Sequence, residues 1–85
     1  MLIPDLNLLL HATNSDATLH APARAWWTHA LAGPEPIGIA PVVSFGFIRL
    51  ATHPRVLARP LTPAKAIQTL RAWLALPGVT PLTSD

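Results

Sequence analysis

One aspartate in this sequence stands where charge is costly. Asp5 interrupts the apolar run Leu2-Ile3-Pro4-Asp5-Leu6-Asn7-Leu8-Leu9-Leu10. A carboxylate in apolar surroundings must be paired, hydrogen-bonded or bound to a cation. Asp5 therefore either caps a helix beginning at Leu6 or sits at the mouth of a site, at the carboxyl end of a strand over Leu2 to Pro4. Open α/β sheets bind ligands at that end, and the two roles are compatible. The remaining acids are Asp16, Glu35 and Asp85. A hard-cation site draws several carboxylates to one point, and of these four only Asp5 is well placed. Asp16 and Glu35 lie in turn-forming stretches and read as solvated turn residues.

Other chemistries find little support. His11, His20, His29 and His53 show neither H-x-x-x-H nor H-E-x-x-H, which argues against zinc. Ser15, Ser44 and Ser84 lack a G-x-S-x-G setting. The four glycines are isolated, so no phosphate-cradling loop exists, and the absence of cysteine excludes disulfides and thiolate metal sites. A formal charge of +2 is only a slight lean toward anionic partners. No apolar run reaches the length of a membrane span, and no basic segment precedes the apolar N-terminus as a secretory signal requires. The cytoplasm is the simplest expected location.

The elements that must position Asp5 follow from pattern and punctuation. The spacing predicts a short strand at Leu2 to Pro4, then a short helix from Leu6 that is apolar nearly all round. Asn14-Ser15-Asp16 is a turn, with Asp16 or Thr18 available to cap a helix over Leu19 to Leu31. In that helix Leu19, Ala23, Trp26, Trp27, Ala30 and Leu31 form the apolar face, Pro22 falls in the first turn, and Gly33-Pro34 ends it. Pro36 to Ala40 reads as a second buried strand. Val42 to Ala51 is ambiguous by composition; a helix is expected, since a strand would place Arg49 alone among core residues. The loop from His53 to Pro60 offers Arg55 and Arg59 to phosphate, a partner or water. A further helix has Thr62 as cap, Pro63 at its first position and Ala66, Ile67, Leu70, Trp73 and Leu74 as its stripe. Val79 to Leu82 reads as a third strand. Tryptophans on helical stripes are more often core than nucleobase platforms.

Strand, helix, helix, strand, helix, helix, strand is the order of a three-layer α/β/α domain with a short parallel sheet. With 85 residues, 51% hydrophobic and only 12% charged, the chain suits one small domain with more apolar surface than a thin sheet can cover. That excess suggests an oligomer or further chain.

Four segments in order carry a resemblance: Leu2 to Leu10, Ala23-Arg24-Ala25-Trp26-Trp27, Gly46 to Val56, and Arg59-Pro60-Leu61-Thr62-Pro63-Ala64. Together they resemble a PIN-domain VapC toxin over nearly the whole chain. The resemblance implies a PIN-like α/β domain and a Mg²⁺- or Mn²⁺-dependent ribonuclease of a type II toxin–antitoxin system. It also implies an RNA substrate, a homodimer and a VapB-like antitoxin as partner. Asp5 matches the first acid of the metal cluster and Asn7 a polar position beside it. The second acid falls at Ser44, which brings no negative charge. The later acids would lie past Asp85, so residues 1–85 read as the N-terminal part of a single PIN-like domain, truncated at its C-terminus and inactive alone. The alternative is a non-catalytic module that binds the antitoxin or another PIN protomer.

Overall fold

The structure is a computed structural model that describes residues 1–83; Ser84 and Asp85 lie outside the described residues. Its elements are α1 (Leu6–Thr13), α2 (His20–Ala32), β1 (Ile37–Ile39), α3 (Pro41–Ala51), α4 (Pro63–Leu74) and β2 (Val79–Pro81). The four expected helices form, and Val42 to Ala51 is helical, with Pro41 supplying its first turn. Pro22 lies in the first turn of α2 and Pro63 in that of α4, where a missing N–H leaves no helical bond unmade. Thr62 caps α4 as expected, its Oγ1 accepting from the Lys65 N–H at 3.1 Å. The other proposed cap fails: Leu19 occupies the N-cap of α2, with no side-chain bond to the helix.

The sheet is smaller than expected. β1 and β2 pair in parallel, Ile37 opposite Val79 and Ile39 opposite Pro81. The opening strand contracts to a single parallel bridge between Leu2 and Ile37, held by Leu2 N–H donating to Pro36 O at 2.7 Å and Gly38 N–H donating to Leu2 O at 2.8 Å. Pro4 has no N–H to extend it. β1 is thus the centre, with Leu2 on one edge and β2 on the other.

Both connections, Leu2 to β1 and β1 to β2, travel the same way across the sheet. Right-handed crossovers in one direction place their helices on one face. One buried cluster accordingly joins Leu9 and Leu10 of α1, Trp27 and Ala30 of α2, Phe47 and Ala51 of α3 and Ala66 and Leu70 of α4 to Ile37, Ile39 and Val79. The described residues form two layers, helices over sheet, and the expected third layer is not among them. Phe47 is fully buried, its ring 5.0 Å from that of Trp73, which in turn stands edge-on to Trp27 at 5.5 Å.

Candidate functional site

The carboxyl ends of the Leu2 segment and β1 lie along one edge of the parallel sheet, and each runs directly into a helix. Asp5 is the N-cap residue of α1, with extended backbone angles, and its carbonyl accepts from the Leu9 N–H at 3.3 Å. Its carboxylate makes no cap bond to α1 and lies exposed. Asn7 is exposed in the first turn. Ser44 is half-buried in the first turn of α3, its N–H donating to Ala40 O at 3.0 Å. The two helix starts are brought together by Gly46. A Cβ there would come within 2.7 Å of a Leu6 methyl, so the missing side chain admits α1 against α3. Asp5, Asn7 and Ser44 therefore share one edge, and no side-chain hydrogen bond among the described residues ties them to each other. The first turns of α1 and α3 carry no acid, so both helices present the positive ends of their dipoles to this edge.

Among the described residues, the other two acids are occupied elsewhere. Asp16 is not simply solvated: its carboxylate accepts from Arg59 Nε at 3.1 Å and Nη2 at 3.0 Å, while Nη2 also donates to Ser15 Oγ at 3.0 Å. This exposed clasp joins the loop before α2 to the loop before α4. Those hydrogen bonds, with the guanidinium charge behind them, hold the Asp16 carboxyl below the usual carboxylate range, against the opposing effect of desolvation. Glu35 accepts from the N-terminal ammonium group at 2.7 Å. His20 Nδ1 lies 2.8 Å from His11 O and so links α2 to the end of α1. Among the described residues no three of His, Cys, Asp or Glu gather as a metal site would require. Mg²⁺ and Mn²⁺ take oxygen donors in an octahedral shell, and Asp5, the one acid at this edge among the described residues, would fill a single position of it and does not by itself make a site.

A second feature escapes the simple stripe. Trp26 is 44% exposed and Leu19 55% exposed, although both were expected on the core face with Trp27. Consecutive residues stand about 100° apart on a helix, so Trp26 and Trp27 cannot share its centre. Leu19 and Trp26, with Leu8, His11 and Pro22, line an apolar groove of about 290 Å³ between α1 and α2, while Trp27 is buried in the core. The adjacency of the two tryptophans was the available sequence signal.

An α/β chain with a carboxylate at the strand end, inside Leu2 to Leu10, is the class these observations define. No protein-family model matches the chain. Among curated proteins it is 46% identical over 84 residues to Ribonuclease VapC33 of Mycobacterium tuberculosis, which spans 99% of this chain and 59% of that one. It is 40% identical over 77 residues to Ribonuclease VapC37 of the same species, covering 91% and 54%, respectively. To VapC ribonuclease Mb2897 of Mycobacterium bovis it is 38% identical over 77 residues, covering 91% and 52%. The chain is similar in sequence to these VapC ribonucleases and spans a little over half of their length. No helix among the described residues is long and apolar enough to cross a membrane.

Proposed function

We propose that this chain is the N-terminal part of a single PIN-like domain from a VapC-type ribonuclease toxin, working in the cytoplasm within a type II toxin–antitoxin system. The observation that carries this reading is the 46% identity to a VapC ribonuclease over 84 residues. The four helices over a short parallel sheet, with Asp5 at a strand end, suit the same fold. The reaction of the whole protein is metal-dependent hydrolysis of RNA, with Mg²⁺ or Mn²⁺ as cofactor. In the whole protein Asp5 would supply one ligand to that ion, Asn7 would orient Asp5 or a water, and Ser44 stands, uncharged, where the family carries an acid. A lone carboxylate does not assemble the site, and the chain by itself is inactive. Purified chain incubated with RNA and either Mg²⁺ or Mn²⁺ leaves the RNA intact. Cleavage that survives Asp5→Ala would remove the role given to Asp5.

The groove between α1 and α2 favours a second reading, in which the chain acts as a non-catalytic module. Its exposed Leu19 and Trp26 are the kind of surface an amphipathic helix covers. On this reading the occupant is a VapB-like antitoxin, or a second PIN protomer in a homodimer. Co-expression with a VapB-like protein tests it: Trp26→Ala weakens co-purification. Sedimentation of the chain alone reads out self-association.

A further inference from the structure

We infer that the solvent face of α3 is a platform for single-stranded RNA beside the Asp5 edge, with the Phe45 ring stacking on a base and the Arg49 guanidinium meeting a backbone phosphate. The inference rests on the ribonuclease reading above and names residues outside its metal edge. Exposure supplies the first argument. Phe45 is 73% and Val42 76% exposed, and Arg49 is exposed one turn beyond Phe45. At about 100° per residue these three fall within about 60° of one another around the helix, on the side away from the buried Phe47 and Ala51. The Phe45 ring has no aromatic neighbour among the described residues, and the Arg49 guanidinium has no carboxylate partner among them. A ring held in water is open to stacking, and stacking accepts any base because every base has a π face.

Position supplies the second. Leu6 fills the space that a side chain on Gly46 would need. Gly46 follows Phe45 and Leu6 follows Asp5, so the exposed row on α3 begins alongside the exposed Asp5. A strand held at that edge reaches Phe45 first, and Arg49 about 6 Å further along the helix.

Charge decides between occupants. Between Pro36 and Thr83 the sequence holds Arg49, Arg55, Arg59, Lys65 and Arg71 and no acid. The formal charge of +2 for the whole chain hides this asymmetry, because Asp5, Asp16 and Glu35 all precede that stretch. A second copy docked through α3 would bring more positive charge and, from that helix, no acid to meet Arg49. A single-stranded nucleic acid brings both a π face for Phe45 and a phosphate for Arg49, which is the pairing that aromatic and cationic side chains on one face suit.

The test follows the fluorescence anisotropy of fluorescein-labelled oligouridylate titrated with the purified chain in EDTA, so that binding is read without cleavage. Phe45→Ala is expected to weaken binding at least about fivefold and Phe45→Trp to keep it, while Phe45→Leu, apolar but without a π face, behaves like the alanine variant. Arg49→Gln weakens binding and lowers the slope of log affinity against log salt by about 0.7. Ile67→Ala, which trims another exposed apolar side chain on α4, changes neither. Circular dichroism establishes that each variant is folded. Unchanged binding by Phe45→Ala, rescue by leucine as well as tryptophan, or sedimentation in which Phe45→Ala splits a dimer while RNA affinity stays the same overturns the platform. Absence of RNA binding by the folded chain overturns it too, whereas the ribonuclease reading stands or falls separately on the cleavage test with Asp5→Ala.

Discussion

Under the helices, Phe47, Leu9, Ile37 and Ile39 are each less than 2% exposed and packed on every side. At the strand-end edge a few residues away, the carboxylate of Asp5 is exposed and makes no bond to the helix it begins. The two regions are built by the same segments: Leu6 packs onto Gly46, and the residue just before it is Asp5. Packing there completes itself from within the chain, because apolar contact is non-directional and any neighbour of the right size suffices. A polar site needs particular atoms at particular points, and the described residues supply only one acid there. The contrast teaches that a chain can finish a core while leaving a site for other residues to finish.

The largest effect that would break this contrast lies in the core. Phe47→Ala removes the ring that meets Trp73 at 5.0 Å and is expected to cost about 3–5 kcal/mol, read as a lower midpoint in urea unfolding. A cost near zero would mean that the helix side is as unfinished as the edge. Next comes Thr62→Ala, which removes the oxygen that accepts from Lys65 N–H; its expected cost is about 1 kcal/mol by the same measurement.

The same contrast explains what could be read from the sequence. Helix positions were legible because Pro41, Pro63, Thr62 and the apolar spacing of α4 are local signals, and local signals need no knowledge of the rest of the chain. Sheet detail was not. Leu2 to Pro4 has strand composition, yet only Leu2 bridges, since Pro4 cannot donate. The helices lie on one face because of strand order, which no local pattern encodes. Asp16 is an exposed turn residue as expected, but its ion pair was not legible for a related reason: its partner Arg59 is 43 residues away, and turn chemistry accounts for an aspartate well enough without one. Asp5 was placed correctly at a strand end and helix start, and the resemblance to VapC was visible in Leu2 to Leu10 and Gly46 to Val56. That its ligand set is incomplete was implied by the resemblance alone, because ligand sets assemble through space and no local pattern counts them.

Two smaller effects compare the two aspartates directly. The Asp16 carboxyl is held below its usual range in the fold by hydrogen bonds from Arg59. A carboxyl lowered in this way contributes stability above its unfolded value and loses it as pH falls through the folded one. Acid titration of unfolding should therefore show a decline at the low end of the carboxylate range that Asp16→Asn flattens. The effect is small and fades with salt, because the pair is exposed. Asp5→Ala is expected to do least to the fold. Its side chain accepts no cap bond, so removing it leaves no donor newly unsatisfied, and the unfolding midpoint should stay where it is at neutral pH. A fall as large as that of Thr62→Ala would show that Asp5 works as a cap after all, and the edge would then be structural like the core. An unchanged midpoint leaves the exposed carboxylate without a structural task, which is the expected behaviour of a residue kept for a ligand that other atoms help to hold.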